Sequence, residues 1–224
     1  MLTIHTADLL VTGDPRHPPV PGGAVLVDGR TIASFGPYEE LAEASPTARV
    51  RRWPGLLTPG LLNPYGPELL EHAYHPDPRE ADELGTEPLT GEALAALAPT
   101  DTRRGASARR GVQRMLAHGT VAVAGDLWRP AVLDAVRRAG LTVEQRFTDP
   151  AGAPTLDPLA RDPLVADGGG RSLREAIVTP LAPVPGAAAT FAVFDAPDEA
   201  ALTTRGASCC TATVIDGRLL YRSR

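Results

Sequence analysis

The chain contains no lysine: all 22 of its basic residues are arginine. That absence excludes a Schiff-base lysine, a phosphate-binding lysine of the Walker type and a carbamylated-lysine bridge between metals. Aromatic residues are scarce, at 4% of the chain, and the two cysteines, Cys209 and Cys210, are adjacent. Neighbouring cysteines rarely close a disulfide and make a poor metal clip. They are expected to be strand residues with one thiol buried, which fits a reducing cytoplasm. No run approaches the ~18 apolar residues of a membrane helix. The first ten residues, MLTIHTADLL, lack a basic segment, so neither a membrane span nor a signal peptide is expected. Positive charge is not in excess either: a net charge of −5 argues against nucleic acid as the main partner. Arginine without lysine, beside 22 Gly and 23 Pro, has the look of a GC-rich genome's codon usage.

What is present suits a globular chain of one or two domains: 224 residues, 43% hydrophobic and 22% charged. Residues 2–11 alternate as a strand. Residues 24–27 and 31–35 are two short β-like runs about Asp28-Gly29, a dipeptide suited to a type I′ hairpin turn. A short helix over 39–44 and a strand over 48–53 follow. Residues 56–62 are an apolar run interrupted by Pro59-Gly60. The stretch from Pro64 to Pro99 carries six prolines and many acids, and is expected to be irregular apart from a short helix near 91–98.

The pattern then becomes regular. Residues 102–118 form a helix with Val112, Met115 and Leu116 on one stripe and Arg103, Arg104, Arg109, Arg110 and Arg114 around the rest. Strand 120–124, helix 130–139 with Pro130 at its first position, and strand 141–147 follow. Helices alternating with strands at this spacing imply right-handed crossovers and a parallel sheet. Residues 149–170 are rich in Pro and Gly and have the character of a loop or linker. Residues 173–178 suit a short helix or strand, and 189–195 a strand. The end of the chain echoes its beginning: Val27-Asp28-Gly29-Arg30 recurs as Ile215-Asp216-Gly217-Arg218, again between apolar runs. The fold class expected is therefore α/β plus β, a composite β-sandwich built from both chain termini with a (β/α) insert between them.

Five segments in this order resemble the amidohydrolase superfamily, in its imidazolonepropionase-like and nucleoside-deaminase-like branch. They are Val25–Gly36, Trp53–Asn63, His118–Ala124, Gly186–Asp195 and Val214–Tyr221. The resemblance implies a sandwich over 1–58 and 186–224, and a barrel-like domain over 59–185 with a linker at 148–172. It also implies a His-x-His pair just after the first barrel strand, two imidazoles able to turn toward one divalent ion at the strand's C-terminal mouth. Here those positions hold Tyr65 and Pro67. The 127 residues from Pro59 to Pro185 fall well short of the ~250 of a complete barrel, so about half a barrel or less is expected.

Several residues could carry chemistry. Tyr65, Glu68 and Asp126 are the catalytic candidates, with Glu71 beside them as a further acid. Asp126 follows the second parallel strand, where α/β sites lie, although a helix-capping role suits it as well. Asn63, Tyr65, Glu144 and Arg146 are candidates for binding a ligand. His72 and His75 sit at a spacing that shares one helical face and are weak metal candidates, or else residues of a helix end. The arginine-rich helix faces either solvent or an acidic group. Gly168–Gly170 lacks the strand before and helix after that a phosphate loop needs. These features point to a degenerate amidohydrolase-like protein without a metal cofactor, binding a small molecule or a partner protein as an accessory subunit. The alternative is a hydrolase of non-peptide C–N bonds, a deaminase or cyclic amidase, using zinc in a rearranged or partner-completed site. An unclosed parallel sheet exposes a pairing edge, so a homo- or hetero-oligomer is expected.

Overall fold

The computed structural model describes residues 1–160, 171–184 and 186–223. The first part of the chain supplies β1 (Leu2–Thr6), β2 (Leu9–Leu10), β3 (Val20–Pro21), β4 (Gly23–Asp28), β5 (Thr31–Pro37), α1 (Tyr38–Ala44), β6 (Arg49–Arg52), β7 (Leu56–Pro59) and β8 (Leu61–Asn63). The middle supplies α2 (Gly66–Leu70), α3 (Ala81–Leu84), α4 (Gly91–Leu97), α5 (Asp101–Leu116), β9 (Thr120–Ala124), α6 (Pro130–Ala139) and β10 (Thr142–Glu144). The end supplies α7 (Leu173–Ala176), β11 (Phe191–Phe194), α8 (Glu199–Arg205), β12 (Cys210–Ile215) and β13 (Arg218–Arg222).

Among the described residues these strands make three sheets. The first has the order β5-β4-β1-β6. The second, β13-β12-β11-β7-β2-β3, takes strands from both ends of the chain. The third, β10-β9-β8, is parallel throughout, as the helix–strand alternation implies. The molecule is thus mixed α/β with several sheets. Two apolar runs each split between sheets. Residues 2–11, expected as one strand, break at Ala7-Asp8, where the Asp8 carboxylate accepts the Gly55 N–H at 2.6 Å; β1 then belongs to the first sheet and β2 to the second. At Pro59-Gly60 the chain leaves the second sheet and enters the third. A Cβ on Gly60 would lie 2.3 Å from the Val121 side chain, so only glycine lets β8 approach β9 there.

The two Asp-Gly-Arg hairpins differ. Asp216 and Gly217 both take positive φ, 51° and 71°, the I′ pattern. In the first hairpin Asp28 pairs with Thr31, so the loop is Gly29-Arg30 rather than Asp28-Gly29. Gly29 has φ 59° and Arg30 is not among the positive-φ residues, the pattern of a II′ turn.

The 64–99 stretch is more regular than its prolines suggest. Pro67 stands in the first turn of α2, where its missing N–H costs nothing. Asp77 and Glu80 form a capping box around the turn Pro78–Glu80. The arginines of α5 then hold this stretch in place. Arg103 pairs with Glu80 at 2.6 Å, Arg110 with Asp77 at 3.2 Å, and Arg114 donates to the Thr86 carbonyl. Three of the five arginines of α5 are thus engaged within the chain while still partly exposed. The stripe of Val112, Met115 and Leu116 packs with Val121, Val123, Val132 and Val136 into one core around β9 and α6. The C-terminal end of α5 is fastened to the second sheet, where the Thr213 hydroxyl donates to the Leu116 carbonyl at 2.6 Å.

Candidate functional site

In a parallel sheet with helical crossovers, ligand sites lie at the strands' C-terminal ends. Here that end is formed by Asn63, by Gly125-Asp126 after β9, and by Glu144-Gln145-Arg146. Asn63 is fully buried. Its side-chain amide donates to the Thr155 and Leu156 carbonyls at 2.9 and 3.2 Å, and its carbonyl oxygen accepts the Tyr65 N–H at 2.9 Å. It thereby anchors the 155–156 loop across the mouth. The buried Tyr65 phenol donates to the Ala151 carbonyl. Glu68 grips Arg146 through both oxygens, at 2.9 and 3.0 Å, and Arg146 also reaches the Pro64 carbonyl and Asp149.

Of the ligand candidates on β10 and beyond it, Glu144 accepts from Thr142 while Arg146 is held by Glu68. Asp126 does not cap α6. It is exposed and makes no side-chain hydrogen bond or ion pair among the described residues. The buried Glu71, from far away in sequence, instead holds the two residues that lead into α6. Its Oε1 accepts the N–H groups of Trp128 and Arg129 at 2.8 and 2.9 Å, and its Oε2 pairs with the Arg129 guanidinium at 2.7 Å. Sequence spacing carries no signal for that contact. Arg171, not singled out from the sequence, sits at the same mouth, donating to the Leu62 carbonyl at 3.0 Å. Burial lowers its pKa. The triglycine Gly168–Gly170 lies outside the described residues.

His72 and His75 do not converge. Helix α2 ends at Leu70, so no helical turn places them on one face; His72 is exposed and His75 is 1% exposed. The His75 Nε2 contacts the Leu69 carbonyl at 2.8 Å, which makes that nitrogen the N–H, and Nδ1 is a buried lone pair without a partner among the described residues. Desolvation pushes its pKa down. This ring packs against Gly111 of α5, where a Cβ would lie 2.7 Å from Nε2. Among the described residues no three His, Cys, Asp or Glu side chains gather to hold a metal ion. Tyr65 is committed to a carbonyl, and Pro67, at the other ligand position implied by the resemblance, has no donor atom. The residues at the mouth do not fit a zinc ion.

The family comparison meets the chain at the β4–β5 hairpin and α1, on the first sheet. Residues 23–48 match the imidazolonepropionase-like composite domain of bacteria. The expected resemblance is borne out over this stretch, at the level of the imidazolonepropionase-like composite domain. Among solved structures, the chain is similar to A. niger ochratoxinase, at 21% identity over 64% of this chain and 31% of that one, TM-score 0.44. Helicobacter pylori aminofutalosine deaminase gives 13% identity over 65% and 33%, TM-score 0.42. A zinc-bound adenosine deaminase from Xanthomonas campestris gives 17% over 63% and 32%, TM-score 0.44. The chain spans about a third of the length of these structures. No curated protein sequence matches it.

Proposed function

We propose that this chain is a degenerate amidohydrolase-like protein that binds a small molecule or a partner protein and performs no metal-dependent hydrolysis. One observation carries the reading: the two positions where a His-x-His would hold the metal are Tyr65, bonded to the Ala151 carbonyl, and Pro67. The neighbouring polar groups support it, since Asn63, Glu68 and Arg146 are each satisfied from within the chain. The division at Pro59-Gly60 supports a composite sandwich over 1–58 and 186–224, and an incomplete barrel over 59–185 whose first strands are β8, β9 and β10. Exposed Val143 and Phe147 at the β10 end support an oligomer, of this chain with itself or with another.

The alternative, C–N bond hydrolysis in a site completed by a partner, is favoured by Asp126, a solvent-facing carboxylate two residues beyond β9 with no side-chain bond among the described residues. Metal analysis of the purified protein separates the two. The binding role predicts substoichiometric zinc and no ammonia release from aminated purines or cyclic amides. Stoichiometric zinc that is lost in His72→Ala and His75→Ala, or in Asp126→Asn, together with turnover, overturns it.

A further inference from the structure

A cavity of about 460 Å³ opens at the opposite end of the parallel sheet from the mouth. Gly60 precedes β8, Val121 is the second residue of β9, and Gly140 and Thr142 bracket the start of β10; all four line it. The other walls come from the two hairpins, through Ile32, Ile215 and Asp216, and from residues within 178–184 and 187–190. No lining residue is shared with the mouth.

The walls are held in place. Val178 donates to the Gly60 carbonyl at 3.3 Å beside the Leu61–Ile177 bridge, and Leu181 donates to Thr12 at 2.8 Å. Ile32 donates to Ala187 at 2.9 Å, and Ala189 to Arg30 at 2.8 Å. Such a cavity is preformed, and its volume lies in the ~300–1,000 Å³ range of small-molecule sites. Its chemistry is mostly apolar, with Val121, Val178, Leu181 and Ile215 prominent. Among the described lining residues Asp216 alone is ionisable, and it is paired with Arg30 across the two hairpin turns. A charged ligand would therefore find no free counter-charge in the lining. The Thr179 hydroxyl makes no hydrogen bond among the described residues, which leaves one donor and acceptor for a ligand to use. Val184, a lining residue, is 54% exposed, an apolar side chain facing water where a ligand would enter.

We propose that this cavity is a binding site for a neutral, predominantly apolar small molecule, of up to three rings, with a single hydrogen-bonding group. It gives the small-molecule form of the proposed binding role a location and a ligand class, and depends on that reading only for its biological use.

The test is a fluorescence titration of the folded protein with the neutral probe N-phenyl-1-naphthylamine. The expected result is saturable one-to-one binding that weakens about tenfold or more in Ala182→Trp and in Val178→Trp, each of which fills the cavity, with thermal unfolding still cooperative. Two cavity variants keep the test open should one fail to fold. Tyr65→Phe, at the mouth, is expected to bind the probe as the parent does. Unsaturable binding, or binding that survives both cavity variants, overturns the site. Loss in Tyr65→Phe with retention in the cavity variants also overturns it, while leaving the binding-protein reading intact. Stoichiometric zinc overturns that reading without touching the cavity.

Discussion

His5 shows how burial sets the behaviour of one residue. It is 2% exposed between Trp53 and Phe191, and its Nδ1 accepts the Trp53 indole N–H at 3.2 Å. Protonating Nδ1 would break that bond inside the core, and desolvation together with the Arg51 charge lowers the pKa to about 4. The folded state thus favours the neutral ring, while the unfolded chain takes up a proton near 6.5. The stabilisation is complete above about pH 6.5 and is lost as the pH falls toward 4, about 3 kcal/mol in all. The buried His75 is shifted in the same direction. Thermal melts should show Tm falling between pH 6.5 and 4, with a shallower fall in His5→Gln; a flat profile in the parent would contradict this. Glu71 is the second such residue. Its side chain is fully buried and serves two backbone N–H groups and a guanidinium. Glu71→Ala should cost about 3 kcal/mol in urea unfolding, because Arg129 loses its partner and two backbone N–H groups lose their acceptor.

Among the elements, the two hairpins offer a matched comparison. Both turn glycines need positive φ, but their surroundings differ. A Cβ on Gly29 would meet nothing within 4 Å, whereas one on Gly217 would lie 2.1 Å from the Gly29 carbonyl oxygen, because the two turns touch. Gly29→Ala should therefore cost about 1 kcal/mol, the left-handed penalty alone. Gly217→Ala should cost at least twice that, as read from denaturant midpoints, and it should also strain the Arg30–Asp216 pair. Helix α5 gives a similar case. Gly→Ala inside a helix ordinarily gains about 1 kcal/mol. At Gly111 the added methyl would press on the His75 ring and on Leu70, so Gly111→Ala should lower Tm instead. The hairpins, α1, α6 and most of α5 were legible in the sequence, since each rests on local signals of turn residue, cap or apolar stripe. Helices α2 and α3 were not, because what secures that stretch is a set of α5 arginines more than twenty residues away.

At the scale of the molecule, the parallel sheet has three strands among the described residues, and its edge strand β10 carries exposed Val143, with exposed Phe147 following it. An uncovered edge with apolar flanks favours association. Sedimentation at rising concentration should show an assembly larger than one chain, and Val143→Lys with Phe147→Arg should shift it toward the monomer. A strict monomer at high concentration in the parent chain would sink the expectation. The other edge is covered from within, by the Leu61–Ile177 bridge. No helix among the described residues is long and apolar enough to cross a membrane.

The absence of lysine and the Tyr65–Pro67 replacement are facts of the sequence alone. Together with five ordered segments, they determined the superfamily resemblance and the lack of a His-x-His. Local rules likewise determined where most strands and helices lie, because periodicity and turn chemistry act over a few residues. Only the tertiary structure decided which polar groups meet. It separated His72 from His75, gave Glu68 rather than Glu144 to Arg146, and placed Glu71 at the start of α6. Those partnerships join residues up to 78 positions apart, and burial, not spacing, selects them. The same packing brought Gly60, Gly140 and the two hairpin turns around one cavity, a volume that no window of sequence encodes.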